Sequence, residues 1–168
     1  MKFRLPEMGD KDILQAYMQE HYACGESSIS ASMGLPASEY AEWVEKIQKN
    51  TSLGDEKWGK SLLYLCFDME QLIGLLSIRY ELPEAEKRIY GDIGYGVRPS
   101  ERNKGYATRM LQYALSVCKE KGLHKVVLGC YKDNISSVRV IQKNGGILTE
   151  ENDNYQEGKI SQYYLISL

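Results

Sequence analysis

The segment from Arg102 to Ala107, which reads R-N-K-G-Y-A, lies where the apolar, strand-like run Ile89–Val97 gives way to an amphipathic helix. At such a junction the first helical N–H groups have no internal partner, and the helix dipole adds partial positive charge. Basic side chains add full charge, and Gly105 lets the backbone approach a phosphate oxygen without a Cβ in the way. The sequence therefore predicts an anion site, suited to a pyrophosphate, at the start of this helix.

Two other phosphate-binding motifs do not fit this chain. Gly94-Tyr95-Gly96 begins like a dinucleotide-binding fingerprint, but Pro99 occupies the third glycine position. The P-loop pattern G-x-x-x-x-G-K-[ST] does not occur. The sequence therefore favours neither a Rossmann fold nor a P-loop fold.

The composition is that of an ordinary globular protein, with 168 residues, 43% of them hydrophobic and 26% charged. This length is enough for one well-buried core, so we expect a single domain over residues 1–168. The formal net charge is −2 with both signs interspersed, which predicts no basic surface for nucleic acid. The longest apolar run, Leu62 to Phe67, is too short to cross a bilayer, and the N-terminus lacks a signal peptide's apolar segment. We expect a cytoplasmic protein with neither nucleic-acid nor membrane partners.

Cysteines and histidines give no sign of a metal site. The two histidines, His21 and His124, are far apart in sequence, and no C-x-x-C spacing occurs. The four cysteines are Cys24, Cys66, Cys118 and Cys130. We expect reduced thiols in packed positions and no metal.

Apolar periodicity predicts strands and helices in the order β-α-α-β-β-β-α-β-α-β-β. The predicted elements are a strand at Lys2–Leu5, a helix at Lys11–Tyr22, a loop at 24–37, a helix capped by Ser38, a hairpin of Ser61–Asp68 and Gln71–Glu81, a turn at Leu82–Lys87, a strand at Ile89–Arg98, a helix at Lys104–Lys121, a strand around Val126–Leu128, a helix capped by Asp133-Asn134, and a terminal hairpin of Ile147-Leu148 with Ile160–Ile166. This order predicts an α+β fold with a mixed, mostly antiparallel sheet.

The strand predicted at Ile89–Arg98 contains three glycines, Gly91, Gly94 and Gly96. Glycines weaken a regular strand and indicate a bulge or a ligand close to the backbone. A cofactor lying against this backbone would explain both.

The pattern R-x-x-G-x-A of Arg102, Gly105 and Ala107 resembles motif A of the GCN5-related N-acetyltransferase (GNAT) superfamily. The predicted order of elements matches that family throughout. The resemblance implies a three-layer α/β/α arrangement, with a central sheet flanked by helices, and acetyl-CoA as cosubstrate. The cofactor-binding residues that it implies here are Val97 near the pantetheine and acetyl carbonyl, and Arg102, Asn103, Lys104, Gly105, Tyr106, Ala107 and Thr108 around the pyrophosphate.

A second segment, Asn134-Ile135-Ser136-Ser137, resembles the family's N-x-x-[AS] motif at a helix start. The resemblance implies that Asn134 contacts the pantetheine arm and that Ser137 lies near the cofactor. Taken alone, the same residues are only a favourable helix cap. Many family members place a general-acid tyrosine seven residues after this asparagine, and some use a glutamate on the fifth strand. This chain has Ile141 and Gly129 at those positions, so neither role can be carried over.

Acetyl transfer to an amine needs a proton acceptor and a group that holds the tetrahedral oxyanion. A backbone N–H near Val97 fits the second need. The carboxylates of Glu81 and Asp92 are the candidate bases, acting directly or through water. Glu81 has a plainer interpretation as a solvated strand end, and Asp92 as the ion-pair partner of Arg79 or Arg88.

Two further residues on the predicted fifth strand bear on the chemistry. Tyr131 is the candidate for protonating the departing thiolate, although a core or surface role is the alternative. Cys130 would support an acyl-enzyme route, but no partner histidine is visible in the sequence. Direct transfer is therefore favoured.

The sequence predicts an acetyl-CoA-dependent N-acetyltransferase, an acyltransferase in which a primary amine attacks the thioester within a ternary complex. The acceptor stays open between a small molecule, such as a polyamine, an antibiotic or an amino acid, and a protein N-terminus. Glu26, Glu39 and Glu42 are acidic residues able to attract a cationic amine or simply to solvate helix faces. The chain is expected to be a monomer or a homodimer. The alternatives are a CoA-binding sensor or interaction module without catalysis, and a structural domain that binds no CoA.

Overall fold

A computed structural model describes residues 1–168 and contains seven strands and five α-helices. The strands are β1 (Lys2–Arg4), β2 (Ser61–Asp68), β3 (Gln71–Arg79), β4 (Ile93–Val97), β5 (Lys125–Tyr131), β6 (Ile147–Asn152) and β7 (Ser161–Ser167). The helices are α1 (Lys11–Ala23), α2 (Tyr40–Asn50), α3 (Glu84–Tyr90), α4 (Tyr106–Glu120) and α5 (Ile135–Lys143). No helix combines the length and the apolar character needed to span a membrane.

The strands form two antiparallel sheets, in the orders β1-β2-β3-β4 and β5-β7-β6. In the first sheet the register sets Ser77 of β3 opposite Gly94 of β4. In the second, Gly129 of β5 lies opposite Tyr163 of β7. The predicted α+β class and the mostly antiparallel sheet are confirmed.

Alternation along β2 divides the core between the two faces of the first sheet. Leu62 and Cys66 join a buried cluster with residues of α4 and the second sheet. Leu63 and Leu65 point the other way, into a cluster with residues of α1 and α2. Helices therefore cover both faces of the sheet, which confirms the three-layer arrangement.

The two sheets meet where β4 begins. The Asp92 N–H donates to the carbonyl of Val127 on β5, and the Val127 N–H donates to Asp92 Oδ2, both at 2.7 Å. Gly91 has φ +69°, and a Cβ there would lie 2.8 Å from the Val127 oxygen, so this close approach requires glycine. No ladder joins the rest of β4 to β5, and the two strands border a cavity.

Asp92 is expected to stabilise the fold as a hydrogen-bond acceptor and not as a charge. Its side chain is buried, Oδ1 has no partner, and burial raises the pKa of its carboxyl. Asp92→Ala leaves the Val127 N–H unsatisfied and is expected to lower the free energy of unfolding by about 1–3 kcal/mol. Asp92→Asn keeps an acceptor without the buried charge and is expected to be at least as stable as wild type at pH 7.

Urea unfolding of the two Asp92 variants provides the measurement. Because the folded-state pKa is raised, the contribution of this carboxyl is present at acid pH and lost as pH rises through that pKa. Wild type should therefore gain stability relative to Asp92→Asn as the pH falls. Equal stability of the alanine and asparagine variants would contradict the acceptor role.

The region between β3 and β4 differs from the sequence prediction. The segment predicted as a turn at Leu82–Lys87 and the start of the strand predicted at Ile89–Arg98 form helix α3 instead, and β4 begins only at Ile93. Acidic residues in the first turn of α3 and basic residues in its last turn complement the helix dipole. A helix of seven residues is too short to show a clear apolar period.

The cap of α2 was also assigned to the wrong residue. Glu39 is the N-cap, and its carboxylate accepts from the Ala41 N–H at 2.7 Å. Ser38 Oγ instead donates to the carbonyl of Gly34 at 2.9 Å. The helix therefore begins one residue later than a cap at Ser38 would place it.

Two glycines of β4 leave room for neighbouring parts of the chain. A Cβ on Gly94 would lie 2.9 Å from Ser77 Oγ, and a Cβ on Gly96 would lie 3.1 Å from the Ser30 carbonyl oxygen. The loop after α1 packs against this side of the strand. Gly94 and Gly96 also border open spaces beside β4, so a cofactor lying against this backbone stays a prediction.

Candidate active site

A groove of about 820 Å³ runs from the start of α4 to the start of α5. All the predicted cofactor-binding residues except Lys104 line it, namely Val97, Arg102, Asn103, Gly105, Tyr106, Ala107, Thr108, Asn134 and Ser137. Lys104 lies outside the lining, and its Nζ pairs with the Glu101 carboxylate at 3.0 Å. The two sequence motifs, which are about 30 residues apart in the chain, thus border one groove.

The N-terminus of α4 faces this groove without a cap. Gly105 is the N-cap residue, has φ +81°, and provides no side chain to accept from the helix. The N–H groups of Tyr106, Ala107 and Thr108 have no acceptor within the protein. A Cβ on Gly105 would meet no atom within 4 Å. Free helical N–H groups beside open space form a site for an anion.

Arg102 is already paired in this structure. Its guanidinium contacts the Glu26 carboxylate at 2.5 Å, and its Nε donates to the Val97 carbonyl at 3.1 Å. Glu26 also contacts His21 Nδ1 at 2.7 Å. The pairing with Arg102 lowers the pKa of the Glu26 carboxyl, so Glu26 stays ionised and part of the Arg102 charge is balanced.

The other acidic residues singled out from the first third of the chain do not line the groove. Glu39 caps α2, and Glu42 is exposed in the first turn of the same helix. Of the three, only Glu26 lines the groove, and there it contacts a guanidinium and an imidazole.

Three basic residues of the groove were missed from the sequence. Arg139 and Lys143 lie on α5, and Lys159 lies before β7. The i, i+4 spacing of Arg139 and Lys143 on one helix face is a signal that was available in the sequence. Together these cations supply positive charge on the side of the groove opposite α4.

A second, smaller cavity of about 280 Å³ lies between β4 and β5. Residues that line both the groove and this cavity are Ser30, Tyr95, Tyr131, Asn134 and Ser137. These residues mark the point where the two spaces meet. A ligand in the groove and a ligand in the cavity would therefore approach each other at this wall.

A hydroxyl pair stands at the junction of the groove and the cavity. Tyr95 Oη lies 2.9 Å from Ser137 Oγ, and the Ser137 N–H donates to Asn134 Oδ1 at 3.1 Å. Asn134 thus caps α5 and also lines the groove, so the two interpretations of its motif are compatible. Burial raises the pKa of Tyr95, so its hydroxyl keeps its proton and remains a donor. The pair can deliver a proton to an anion formed beside it.

Tyr131 and Cys130 lie on the opposite strand of the cavity. Tyr131 Oη donates to Gln156 Oε1 at 2.7 Å, and Lys159 Nζ sits 3.8 Å from the centre of its ring. Burial raises the pKa of the Cys130 thiol to about 11. A thiol that stays protonated at neutral pH is a poor nucleophile, which disfavours an acyl-enzyme route.

The two candidate carboxylates line neither the groove nor the smaller cavity. Glu81 Oε1 accepts from Lys60 Nζ at 3.0 Å on the surface. Asp92 is held in the sheet junction by Val127 and forms no ion pair with Arg79 or Arg88. No aspartate, glutamate or histidine lines the smaller cavity.

Some family members carry acid and base residues at the positions of Ile141 and Gly129. In this chain, packed apolar and aromatic side chains fill the space at both positions. Ile141 is 1% exposed and belongs to the core cluster beneath α5. The space beside Gly129 is filled by the ring of Tyr163, 3.0 Å from where a Cβ would be. Neither position has room for an ionisable side chain directed into the cavity.

Comparison with known proteins identifies one family. A family model described as the acetyltransferase (GNAT) domain matches residues 2–147. A stretch of 55 residues is 40% identical to the uncharacterised N-acetyltransferase YnaD of Bacillus subtilis, and it covers 32% of this chain and 32% of that protein. The match to this relative therefore spans about a third of its length.

Solved structures resemble the whole chain. The putative acetyltransferase yncA from Salmonella typhimurium, with its cofactor acetyl-CoA, superposes with a TM-score of 0.69 at 14% identity, over 99% of this chain and 93% of that chain. A Salmonella typhimurium acetyltransferase that modifies the N-terminal serine of ribosomal protein L7/L12 gives 0.71 at 20% identity, over 99% and 94%. At these identities the likeness is one of fold.

Proposed function

Because this chain belongs to the GNAT family of acetyltransferases, we propose that it moves the acetyl group of acetyl-CoA to a primary amine by direct attack in a ternary complex. The amine belongs to a small molecule or a protein N-terminus. The observation that carries the proposal is the meeting of the groove and the cavity at Tyr95 and Ser137, next to an uncapped helix start. The activity resides in one domain of residues 1–168, in a monomer or a homodimer.

Acetyl-CoA fits the groove by its chemistry. Its pyrophosphate binds the free N–H groups at the start of α4, where backbone amides and the helix dipole favour an anion. Its pantetheine arm follows Val97 and Asn134 towards the hydroxyl pair. Arg139 and Lys143 on α5 offer positive charge for the remaining phosphate.

Ser137 protonates the departing thiolate, and Tyr95 in turn donates a proton to Ser137. Both hydroxyls line the junction and lie 2.9 Å apart, so a proton lost by Ser137 is replaced from Tyr95. A backbone N–H near Val97 holds the oxyanion of the tetrahedral intermediate. Tyr131 is the second candidate for the acid, because it lines the same junction.

The amine enters the cavity as the free base. Desolvation in the cavity and the guanidinium of Arg79 on its wall both disfavour an ammonium ion, which lowers the pKa of the amine. The proton released after attack passes to water. Glu81 or Asp92 would accept it only through intervening water, since neither lines the cavity.

The protein acts in the cytoplasm, where acetyl-CoA is available and thiols stay reduced. All four cysteines are free, including the exposed Cys24, in keeping with a reducing compartment.

Isothermal calorimetry with acetyl-CoA, followed by a thiol-release assay over a panel of amines, tests the proposal. We expect binding and amine-dependent release of CoA, with a rate that rises with pH up to the pKa of the amine. Binding without release for every amine would favour the catalytically inactive CoA-binding module. The absence of binding would leave only a structural role for the domain.

A further inference from the structure

The smaller cavity contains a positive charge without a counter-ion. Arg79 is the one charged side chain that lines it, and the rest of the lining is apolar, aromatic or neutral. No carboxylate lies within ion-pair distance of the Arg79 guanidinium. A partly buried cation on a cavity wall favours an anionic ligand.

Arg79 has hydrogen-bonding capacity to spare. Its Nε donates to the Gly91 carbonyl at 3.0 Å and its Nη2 to the Tyr90 carbonyl at 3.2 Å, while Nη1 makes a long contact of 3.4 Å with Ser77 Oγ. A guanidinium carries five N–H donors in a rigid fork. These three contacts fix its orientation and leave two donors for a ligand.

Burial disfavours the charged form of the Arg79 side chain. Desolvation lowers the pKa of the Arg79 guanidinium, and Asp92 and Tyr155 offset this only in part. Arginine nevertheless stays charged at any physiological pH. A carboxylate placed in the cavity would supply the missing counter-charge.

Aromatic rings form the wall next to this charge. Tyr90 makes edge contacts with Trp58 and with Tyr155, at ring-centre distances of 4.7 and 5.8 Å. Tyr155 in turn contacts Tyr131 at 5.7 Å. Positive charge also lies beside this wall, since Lys57 Nζ is 5.6 Å from the centre of the Tyr90 ring. Such a wall suits an apolar or aromatic body and disfavours a polycation.

The guanidinium lies close to the reacting centre. Arg79 Nη2 is 3.7 Å from the position that a Cβ on Gly94 would take. Tyr95, where the cavity meets the groove, is the next residue on β4, and its side chain points to the opposite face of the strand. Arg79 and Tyr95 nevertheless line the same cavity of about 280 Å³, so one ligand in it can contact Arg79 with one group and the junction with another.

We propose that the acceptor is a free α-amino acid with an apolar or aromatic side chain, and that its carboxylate binds Arg79 while its amine meets the thioester at Tyr95 and Ser137. This inference rests on the proposed function. A cavity of about 280 Å³ suits a ligand of this size. A protein N-terminus lacks the carboxylate beside its amine, and a polyamine brings only positive charge.

The atoms of the transfer balance without another reactant. The neutral amine nitrogen forms a bond to the thioester carbonyl carbon, the carbon–sulfur bond breaks, and the amine loses one proton to water. The thiolate gains a proton from the Ser137 hydroxyl, Ser137 is reprotonated by Tyr95, and Tyr95 regains a proton from water, which balances the proton that the amine released. The products are an N-acetyl amino acid and CoA.

Pairs of acceptors that differ only in whether they carry a carboxylate or an amide test the proposal on the wild-type protein. Thiol release is measured with L-phenylalanine against L-phenylalaninamide, and L-leucine against L-leucinamide, with spermidine and a tripeptide amide for comparison. Values of kcat/KM are expressed per neutral amine, because an amide lowers the pKa of the adjacent amine. We expect each acid to exceed its amide by roughly 10- to 100-fold, the range of a hydrogen bond to a charged group.

Variants of Arg79 test whether this residue causes the preference for acids over amides. In Arg79→Met the ratio of acid to amide is expected to fall to about one, while Arg79→Lys keeps part of it because the charge stays and the fork is lost. Arg88→Met is the matched control, because Arg88 is exposed on α3 and lines neither cavity. Calorimetry with acetyl-CoA confirms that each variant is folded.

Binding of the products gives a readout that does not need turnover. With CoA present, N-acetyl-L-phenylalanine is expected to bind more tightly than N-acetyl-L-phenylalaninamide, and only the former should be weakened by Arg79→Met. If Arg79→Met does not fold, the acid and amide pairs on wild type decide the question alone.

Three results would overturn the inference. Turnover of amides, peptides or spermidine at rates equal to or above those of the acids would reject the amino-acid acceptor and leave the acetyltransferase proposal standing. A preference for acids that survives in Arg79→Met would reject Arg79 as its cause. No CoA release with any amine would reject both the inference and the transferase proposal on which it rests.

Discussion

Gly105→Leu is expected to weaken acetyl-CoA binding by about 100-fold or more. The glycine stands at the uncapped start of α4 and lines the groove, and a Cβ there would have no atom within 4 Å. A leucine side chain would occupy the volume that the pyrophosphate needs. Loss of two charge-assisted hydrogen bonds costs roughly 3 kcal/mol or more, which corresponds to that factor. Calorimetry with acetyl-CoA measures it directly.

Gly122→Leu provides a matched control on the same helix. Gly122 follows the C-terminus of α4, has φ +83° against +81° for Gly105, and also has nothing within 4 Å of a Cβ. Both variants carry the same backbone strain of about 1–2 kcal/mol. Only the Gly105 variant should lose affinity. Equal affinity in the two variants would mean that the start of α4 does not hold the pyrophosphate.

Ser137→Ala is expected to lower kcat by about 100-fold while leaving the affinity for acetyl-CoA within a factor of about three. The substitution removes the hydroxyl that we propose protonates the departing thiolate but keeps the backbone N–H that donates to Asn134 Oδ1. Tyr95→Phe removes the proton donor behind Ser137 and should have a smaller effect in the same direction. Steady-state thiol release at saturating acetyl-CoA measures both.

Two further variants make this prediction discriminating. Ser116→Ala removes an exposed hydroxyl that only contacts the Tyr113 carbonyl on α4, and kcat should not change. Tyr131→Phe removes the rival acid. If Tyr131→Phe loses the activity and Ser137→Ala keeps it, the proton comes from Tyr131 and the assignment to Ser137 is wrong.

Local signals in the sequence were sufficient for the helix starts that border the groove. The α4 and α5 segments are preceded by Gly105 and Asn134, and each of these residues has a conformational or hydrogen-bonding reason to occupy its position. The apolar, β-prone runs of β2 and β3 likewise predicted the hairpin. Helix α3 was missed because its seven residues are too few to show an apolar period.

The chemistry of the smaller cavity could not be predicted in this way, because it depends on contacts between distant residues. Tyr95 and Ser137 are 42 residues apart, and Asp92 and Val127 are 35 apart. The sequence suggests partners for Asp92 from charge alone, whereas the fold gives it a backbone N–H. That Arg79 has no carboxylate within ion-pair distance is a property of three-dimensional packing and leaves no mark in the sequence pattern.

The separation of the two sheets would give a cosubstrate bound between them a role in the architecture. β4 is the last strand of one sheet and β5 the first of the other, so beyond the Asp92 junction each presents an unpaired edge to the gap. An extended ligand can therefore enter the gap between β4 and β5 without breaking hydrogen bonds between strands. The amide groups of a pantetheine arm would pair with these edges as an added strand does. Acetyl-CoA would then complete a continuous sheet that the polypeptide alone leaves divided.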